Sequence, residues 1–432
     1  MAAGDRKYWR GGAYTRGAVG ASNAYYDGDF EYDHNGTDYS ESNWVNNSGT
    51  GVQAPQDDEI PVFGQFAGIA PDDYDESVNE TVAGGHYCCD TNLKQDNMDF
   101  AGLHVTRNFT GNVSGYRYDT LDNAAVQSVD SGAKTKIKIT GHTMLKGAWV
   151  TIGGTSNQNG EWLITFIETD YITILKPYVA ETPPSTATAV ARFPLTFTTK
   201  SGTGYDGRVV VESNGINYLA CGDNNSDGDN ILGVEFRSET GILKLTNDNY
   251  SAAGNEGNLD EILVLGAGTL QVFDNAFLTK IIMPGDVTQA TVIVGKGCKE
   301  MTSNDPIELE VAAGNLSIDS AIGPSTISGG VIVYCQNVDL ATTVNIEDLH
   351  GWGGQFDWWG KGSLKDFYWL AGTLTAKGDG DKVIGSAANS YTQSGGTIDL
   401  SQAGGAITRF SGADIDRRGG ILHMPLRTNL TW

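Results

Sequence analysis

Positive charge is scarce in this chain. It carries 28 Lys and Arg against 53 Asp and Glu, a formal net charge of −25 over 432 residues. From Asp27 to Glu80 there is no Lys or Arg at all. A body this acidic repels nucleic acid and stays soluble, so no nucleic-acid partner is expected. Long apolar runs are missing too; none approaches the roughly 18–20 residues that span a bilayer, so no membrane partner is expected either. The first residues lack the apolar core of a secretory signal, which points to synthesis in a cytoplasm. Cysteine is sparse and odd in number: Cys88, Cys89, Cys221, Cys298 and Cys335. Adjacent cysteines rarely bridge each other, and no Cys/His ligand spacing occurs, so these read as mostly buried thiols of a reducing compartment.

What is present is glycine, 57 residues of it, and short β-rich runs. Helical periodicity is nearly absent from the second half. The pattern predicts an all-β chain in four parts: an extended basic arm over 1–26, an acidic irregular region over 27–127, a small β-barrel or sandwich over 128–193, and a β-solenoid (β-helix-like) over 205–432. "ETPPSTATA", following the barrel's last runs, reads as a linker or exposed loop.

The arm opposes the rest of the chain in charge. Arg6, Lys7, Arg10 and Arg16 face one acid, Asp5. With Tyr8, Trp9 and Tyr14 they are the residue types that dominate interface energetics, so they are candidate partner-docking residues. The acidic stretches that follow, such as "YDGDFEYDHNGTDYSESNW", cannot bury much surface alone and are expected to be ordered by lying on a partner.

Over 128–193, Ile137 and Ile139 alternate with lysines, and Trp162, Ile164 and Phe166 alternate with Leu163 and Thr165, a strand period. Here "TGHTMLKGAWVTIGGTSNQNGEWLITFIETDYITIL" resembles a small β-barrel module common in tailed-bacteriophage virion proteins. His142, Leu145, Gly147, Val150, Ile152, Gly154, Asn159, Gly160, Trp162, Asp170, Tyr171, Thr173 and Ile174 fit its pattern, with a one-residue slip at His142. The resemblance covers about 60 residues. It implies a structural protein of a tailed-phage virion, located on the particle. The implied partners are the major capsid protein or another virion protein.

Beyond residue 205 a glycine repeatedly precedes a short alternating strand: Gly268, Gly314, Gly330, Gly354, Gly372, Gly396 and Gly420. Spacings of 24 residues separate Gly330 from Gly354, Gly372 from Gly396, and Gly396 from Gly420. A period in the twenties with strands in every period predicts a solenoid whose stacked coils build one core. Such ladders are similar to β-helical phage virion proteins and tailspikes. Stacked solenoids of that kind imply a homotrimer.

Three constellations bear on chemistry. Asp223, Asn225, Asp227 and Gly228 fit positions 1, 3, 5 and 6 of a calcium loop, but position 12 is Val234 and Glu235 falls one late; an Asp/Asn/Gly surface turn reads equally from the string. No other cofactor is expected. The aromatic stretch "HGWGGQFDWWGKGSLKDFYWL" holds Trp352, Trp358, Trp359 and Trp369, which either stack on sugar rings or fill the solenoid and cement subunits. Under the sugar reading Asp357 and Asp366 are candidate hydrolytic carboxylates. No nucleophile elbow or phosphate loop occurs, and the expectation is a non-enzyme. Two functions remain: a capsid decoration or cement protein, and a tail fibre or tailspike recognising host glycan.

Overall fold

The computed structural model describes residues 6–9, 44–45, 51–52, 55, 58–63, 94–107, 109, 112–132, 134–144, 146–199, 207–221, 230–247, 258–272, 277–284, 290–294, 308–311, 315–318, 326–333, 337–340, 345–359, 362–379, 381–384, 391–409, 415–424 and 430–431. These form β-strands and one short 3-10 turn, Asp130–Gly132, so the chain is all-β. It divides into two compact units.

The first unit contains a curled seven-stranded antiparallel sheet. Its spatial order is Gly115–Thr120, Thr188–Phe193, Trp149–Gly153, Gly160–Glu168, Tyr171–Ile174, Lys134–Lys138 and Gln127–Val129. Alternating side chains put Ile137, Ile139, Val150, Ile152, Ile172, Ile174, Ala189 and Ala191 into one buried cluster. The segment 121–126, between Gly115–Thr120 and Gln127–Val129, bridges the sheet's two sides: Leu121 N–H donates to Ala187 O (2.9 Å) and Asp122 N–H to Lys138 O (3.1 Å). That bridging draws the sheet towards closure. The module therefore starts at Gly115, earlier than the predicted 128, because "GYRYDT" lacks the apolar alternation that marks its partners. A register shift between Ile164 and Phe166 also breaks the predicted alternation. Beyond this bulge the face inverts, and Phe166 is exposed rather than inward with Ile164.

Four residues of the predicted pattern, His142, Asn159, Trp162 and Asp170, close this module's turns. The His142 ring Nε2 lies 2.9 Å from Glu168 O, and its Nδ1 accepts from Met144 N–H. Asn159 Oδ1 accepts from both the N–H and the hydroxyl of Thr155, each at 2.9 Å. Asp170 Oδ1 accepts from Gly141 N–H at 3.0 Å, and Trp162 Nε1 donates to Gln158 O.

The rest of the first unit is a mainly parallel strand stack from which the curled sheet is an excursion; Trp44–Val45 joins it in antiparallel pairs with Arg6–Trp9 and Gly51–Val52. Leu195–Thr199 pairs in parallel with Lys94–Phe100 on one side and Ile216–Cys221 on the other. Arg6–Trp9 pairs in parallel with Ile60–Phe63, which pairs with Leu103–Val105. Trp44, Phe63 and Phe109 pack together at 5.6 Å ring separations, and Phe100 meets Phe197 at 5.6 Å. The described parts of 27–127 thus contribute core strands, where a partner-dependent region was expected. The one described cysteine, Cys221, is a buried free thiol, as anticipated.

The second unit is a parallel β-solenoid. One column in register runs Val234, Ile262, Ile281, Leu309, Val331, Leu349, Phe367, Tyr391 and Ile415 through successive coils, and its Val234, Ile262, Ile281, Leu349, Phe367 and Tyr391 are buried. A second runs Leu243, Leu270, Val292, Leu316, Val338, Phe356, Leu374, Ile398 and Leu422. The coils are unequal: 18 residues carry Leu349 to Phe367, whereas 24 carry Phe367 to Tyr391 and again to Ile415. Gly268, Gly354, Gly372, Gly396 and Gly420 all open the strand run of the second column, and Gly314 lies outside the described residues. Gly330 instead lies on the first-column run, in register with Asp348. Its 24-residue distance from Gly354 therefore joins two different runs, and the true repeat there is 18.

Candidate functional site: the outward aromatic strip of the solenoid

Strand alternation divides the aromatic stretch into two populations. Phe356, Trp358, Phe367 and Trp369 point inward and are buried. Phe367 stacks on Trp369 (5.7 Å, 4° between planes) and on Tyr391 of the next coil (5.1 Å, 10°). Phe356 meets Trp369 edge-on at 6.4 Å. Of the four tryptophans, for which sugar stacking and solenoid filling were both open, Trp358 and Trp369 are therefore core, because they share the parity of Phe356 and Phe367 in their respective strands.

Burial extends to a charge. Lys382 is fully buried, with its ammonium 5.5 Å from the Trp358 ring centroid and donating to Lys377 O at 2.8 Å. Desolvation pulls its pKa below the usual lysine range, partly countered by Asp381 and Asp379. Little in the sequence pattern distinguishes this lysine from a solvated one. The signal was only its parity with Ile384 in a three-residue strand.

The outward population is Trp352, Trp359, Tyr368 and Leu370, exposed by 49, 47, 39 and 54%. Trp359 stands apart. It ends the run Gln355–Trp359, and the Lys377 ammonium covers one face of its ring at 5.0 Å. Lys377 is held by Asp357 at 2.6 Å, whose two carboxylate oxygens each accept from Gln355 Nε2 at 3.0 Å. Asp357 is thus spent in an ion pair. Asp366 lies on the other run, in register with Asp348, so the two acids proposed as a hydrolytic pair do not share a strand run.

Trp352, Tyr368 and Leu370 lie on the run that the first column lines. His350 and Tyr368 sit in register with their rings 5.0 Å apart. In the next two coils the positions in register with Tyr368 are Thr392 and Asp416. The positions following Trp369 and its equivalents are Leu370, Ser394 and Arg418, as the bonds Ser394 N–H to Trp369 O and Arg418 N–H to Gln393 O show. Arg418 pairs with Asp416 at 2.6 Å. The strip grades from aromatic through hydroxyl to charged over four coils.

The arm residues separate in the same way. Arg6 is exposed, and Tyr8 is half-buried. Lys7 is nearly fully buried and pairs with Glu59 at 3.3 Å. It is a core residue of the parallel stack and no docking residue, because its position in Arg6–Trp9 faces the neighbouring strand's acid. Trp9 lies in that strand; Arg10, Tyr14 and Arg16 lie outside the described residues, as do Asp223, Asn225 and Asp227. Among the described residues no cluster of three His, Cys, Asp or Glu could hold a metal ion.

Compared with protein-family models, curated proteins and solved structures, the chain matches none.

Proposed function

We propose that the chain is a non-enzymatic structural component of a tailed-phage virion, a decoration or cement protein that attaches to the head and acts as a homotrimer. The observation that carries this reading is the built state of the barrel pattern. His142, Asn159 and Asp170, three residues of the phage-type motif, each close a turn with their side chains. A motif whose members do mechanical work in the fold supports the kinship that the sequence suggests. A module followed by a rigid stack of β-coils suits a particle surface, where a protein must hold its shape against many neighbours.

Docking on the head falls to the cations of the arm other than Lys7. Deleting residues 1–26 would remove the strand Arg6–Trp9 and the Lys7 ammonium beside Glu59, so deletion tests folding as well as docking. Reversing Arg6, Arg10 and Arg16 to Glu is the cleaner test. The reversed protein is expected to fold and to lose head binding; if it still saturates empty heads, arm docking is wrong. Imaging virions with this protein labelled tests the location. Many copies on capsomers support the reading; a few copies at the tail support the second one, a tail fibre or tailspike, which exposed Trp352 and Tyr368 favour.

A further inference from the structure

We infer that the outward strip running from Trp352 and Tyr368 to Asp416 and Arg418 is a binding site for a neutral oligosaccharide. The inference concerns the solenoid alone and holds for a head or a tail location. Its chemistry matches a sugar chain better than a protein surface. Pyranose rings present C–H faces that stack on exposed aromatic rings, and hydroxyls that pair with hydroxyl and charged groups. The strip supplies both in sequence: Trp352, Tyr368 and Leu370, then Thr392, then the Asp416–Arg418 pair. Parallel coils fix these groups on a ladder, and three steps of it span about 14 Å, room for a short oligosaccharide lying along the stack. Because backbone hydrogen bonds between coils set the spacing, the site is formed before ligand arrives and binding orders little.

Size argues against a second copy of the chain as the occupant. A stable subunit interface takes roughly 800 Å² and 20–30 residues on each side. Here, among the described residues, three exposed apolar side chains are bounded by hydroxyls and an ion pair. Charge argues against an anionic glycan, since the chain carries −25. Trp359, although equally exposed, is outside the site, because it ends the second-column run and not the run that carries Tyr368.

The test is calorimetric titration of the full-length protein with cellohexaose, maltohexaose, laminarihexaose and chitohexaose, and with a sialic acid hexamer as the anionic arm. At least one neutral hexamer is expected to bind with a Kd below about 1 mM. Trp352→Ala and Tyr368→Ala are each expected to weaken it at least about tenfold. Trp359→Ala should leave it unchanged. Leu370→Ser, fully outward, is an independent variant if either aromatic change disturbs folding, which circular dichroism reports. Binding of the sialic acid hexamer alone, binding of none of the neutral hexamers, or full affinity in Trp352→Ala or in a folded Leu370→Ser overturns the inference. So does a drop in sedimentation mass on Leu370→Ser, which would make the strip a subunit interface. None of these outcomes depends on where the protein sits on a particle, so its failure is separable from that of the virion reading.

Discussion

Gly351 lies in register with Trp369 of the next coil, and a Cβ at Gly351 would fall within the indole ring. The ring cannot yield, since Phe367 stacks on it at 5.7 Å and its Nε1 donates to Gly372 O at 3.3 Å. The inward column needs a full indole at one level and no side chain at the level before. Gly351→Ala is expected to destabilise the solenoid by about 3 kcal/mol through overpacking. Adding Trp369→Leu should recover part of that loss, and a double-mutant cycle in urea measures the coupling. Additive effects would show that the two positions do not share space.

The Lys7–Glu59 pair predicts an asymmetry in the first unit. Both side chains are nearly fully buried. Lys7→Met leaves a buried carboxylate without its cation and should cost about 3–5 kcal/mol. The double change Lys7→Met with Glu59→Leu should be far less harmful, because no uncompensated charge remains. Denaturant midpoints of the three proteins decide it.

At high pH the solenoid should weaken through Tyr391. Burial pushes its phenol up to about 12 from an ordinary value of 10.0, with Arg417 opposing. Between those two values the unfolded chain has lost the proton and the folded chain still holds it. Stability therefore falls as pH rises through this window, by up to about 3 kcal/mol, and is unaffected by this group below pH 10. Tyr218, in the first unit, is pushed further up by burial and by the Glu161 carboxylate and acts in the same direction. Stability from pH 9 to 12 in the wild type and in Tyr391→Phe gives the difference.

The corner glycines should differ sharply from their outward neighbours. Gly396 has φ +63°, and a Cβ there would meet Gly372 O at 2.7 Å. Gly396→Ala should cost about 2 kcal/mol or more from backbone handedness and crowding together. Thr397→Val, one residue on and outward, should change stability by no more than about 0.5 kcal/mol. Thermal melting of the two variants is the comparison.

The repeat was legible where coils are equal. Gly372, Gly396 and Gly420 stand 24 residues apart and occupy the same corner of successive coils. Where coils shorten to 18, the same glycine pattern misled, pairing Gly330 with Gly354 across two runs. A glycine before an alternating strand marks a corner; which corner depends on how many residues the preceding coil spends in its turns. The arm misled for a similar reason. Lys7 carries no local sign of burial, because its acid lies 52 residues away in a strand joined by parallel pairing.

The sequence by itself determined the all-β class, the barrel pattern, the solenoid and the inward parity of its strands, since period two and turn glycines are local properties of backbone geometry. Only the tertiary structure decided which tryptophans are core and which are surface. It also decided that Lys7 belongs inside, and that His350, Tyr368, Thr392 and Asp416 stand in one register. Those outcomes rest on register between coils of unequal length, and register is a contest among long-range pairings that no short window of residues contains.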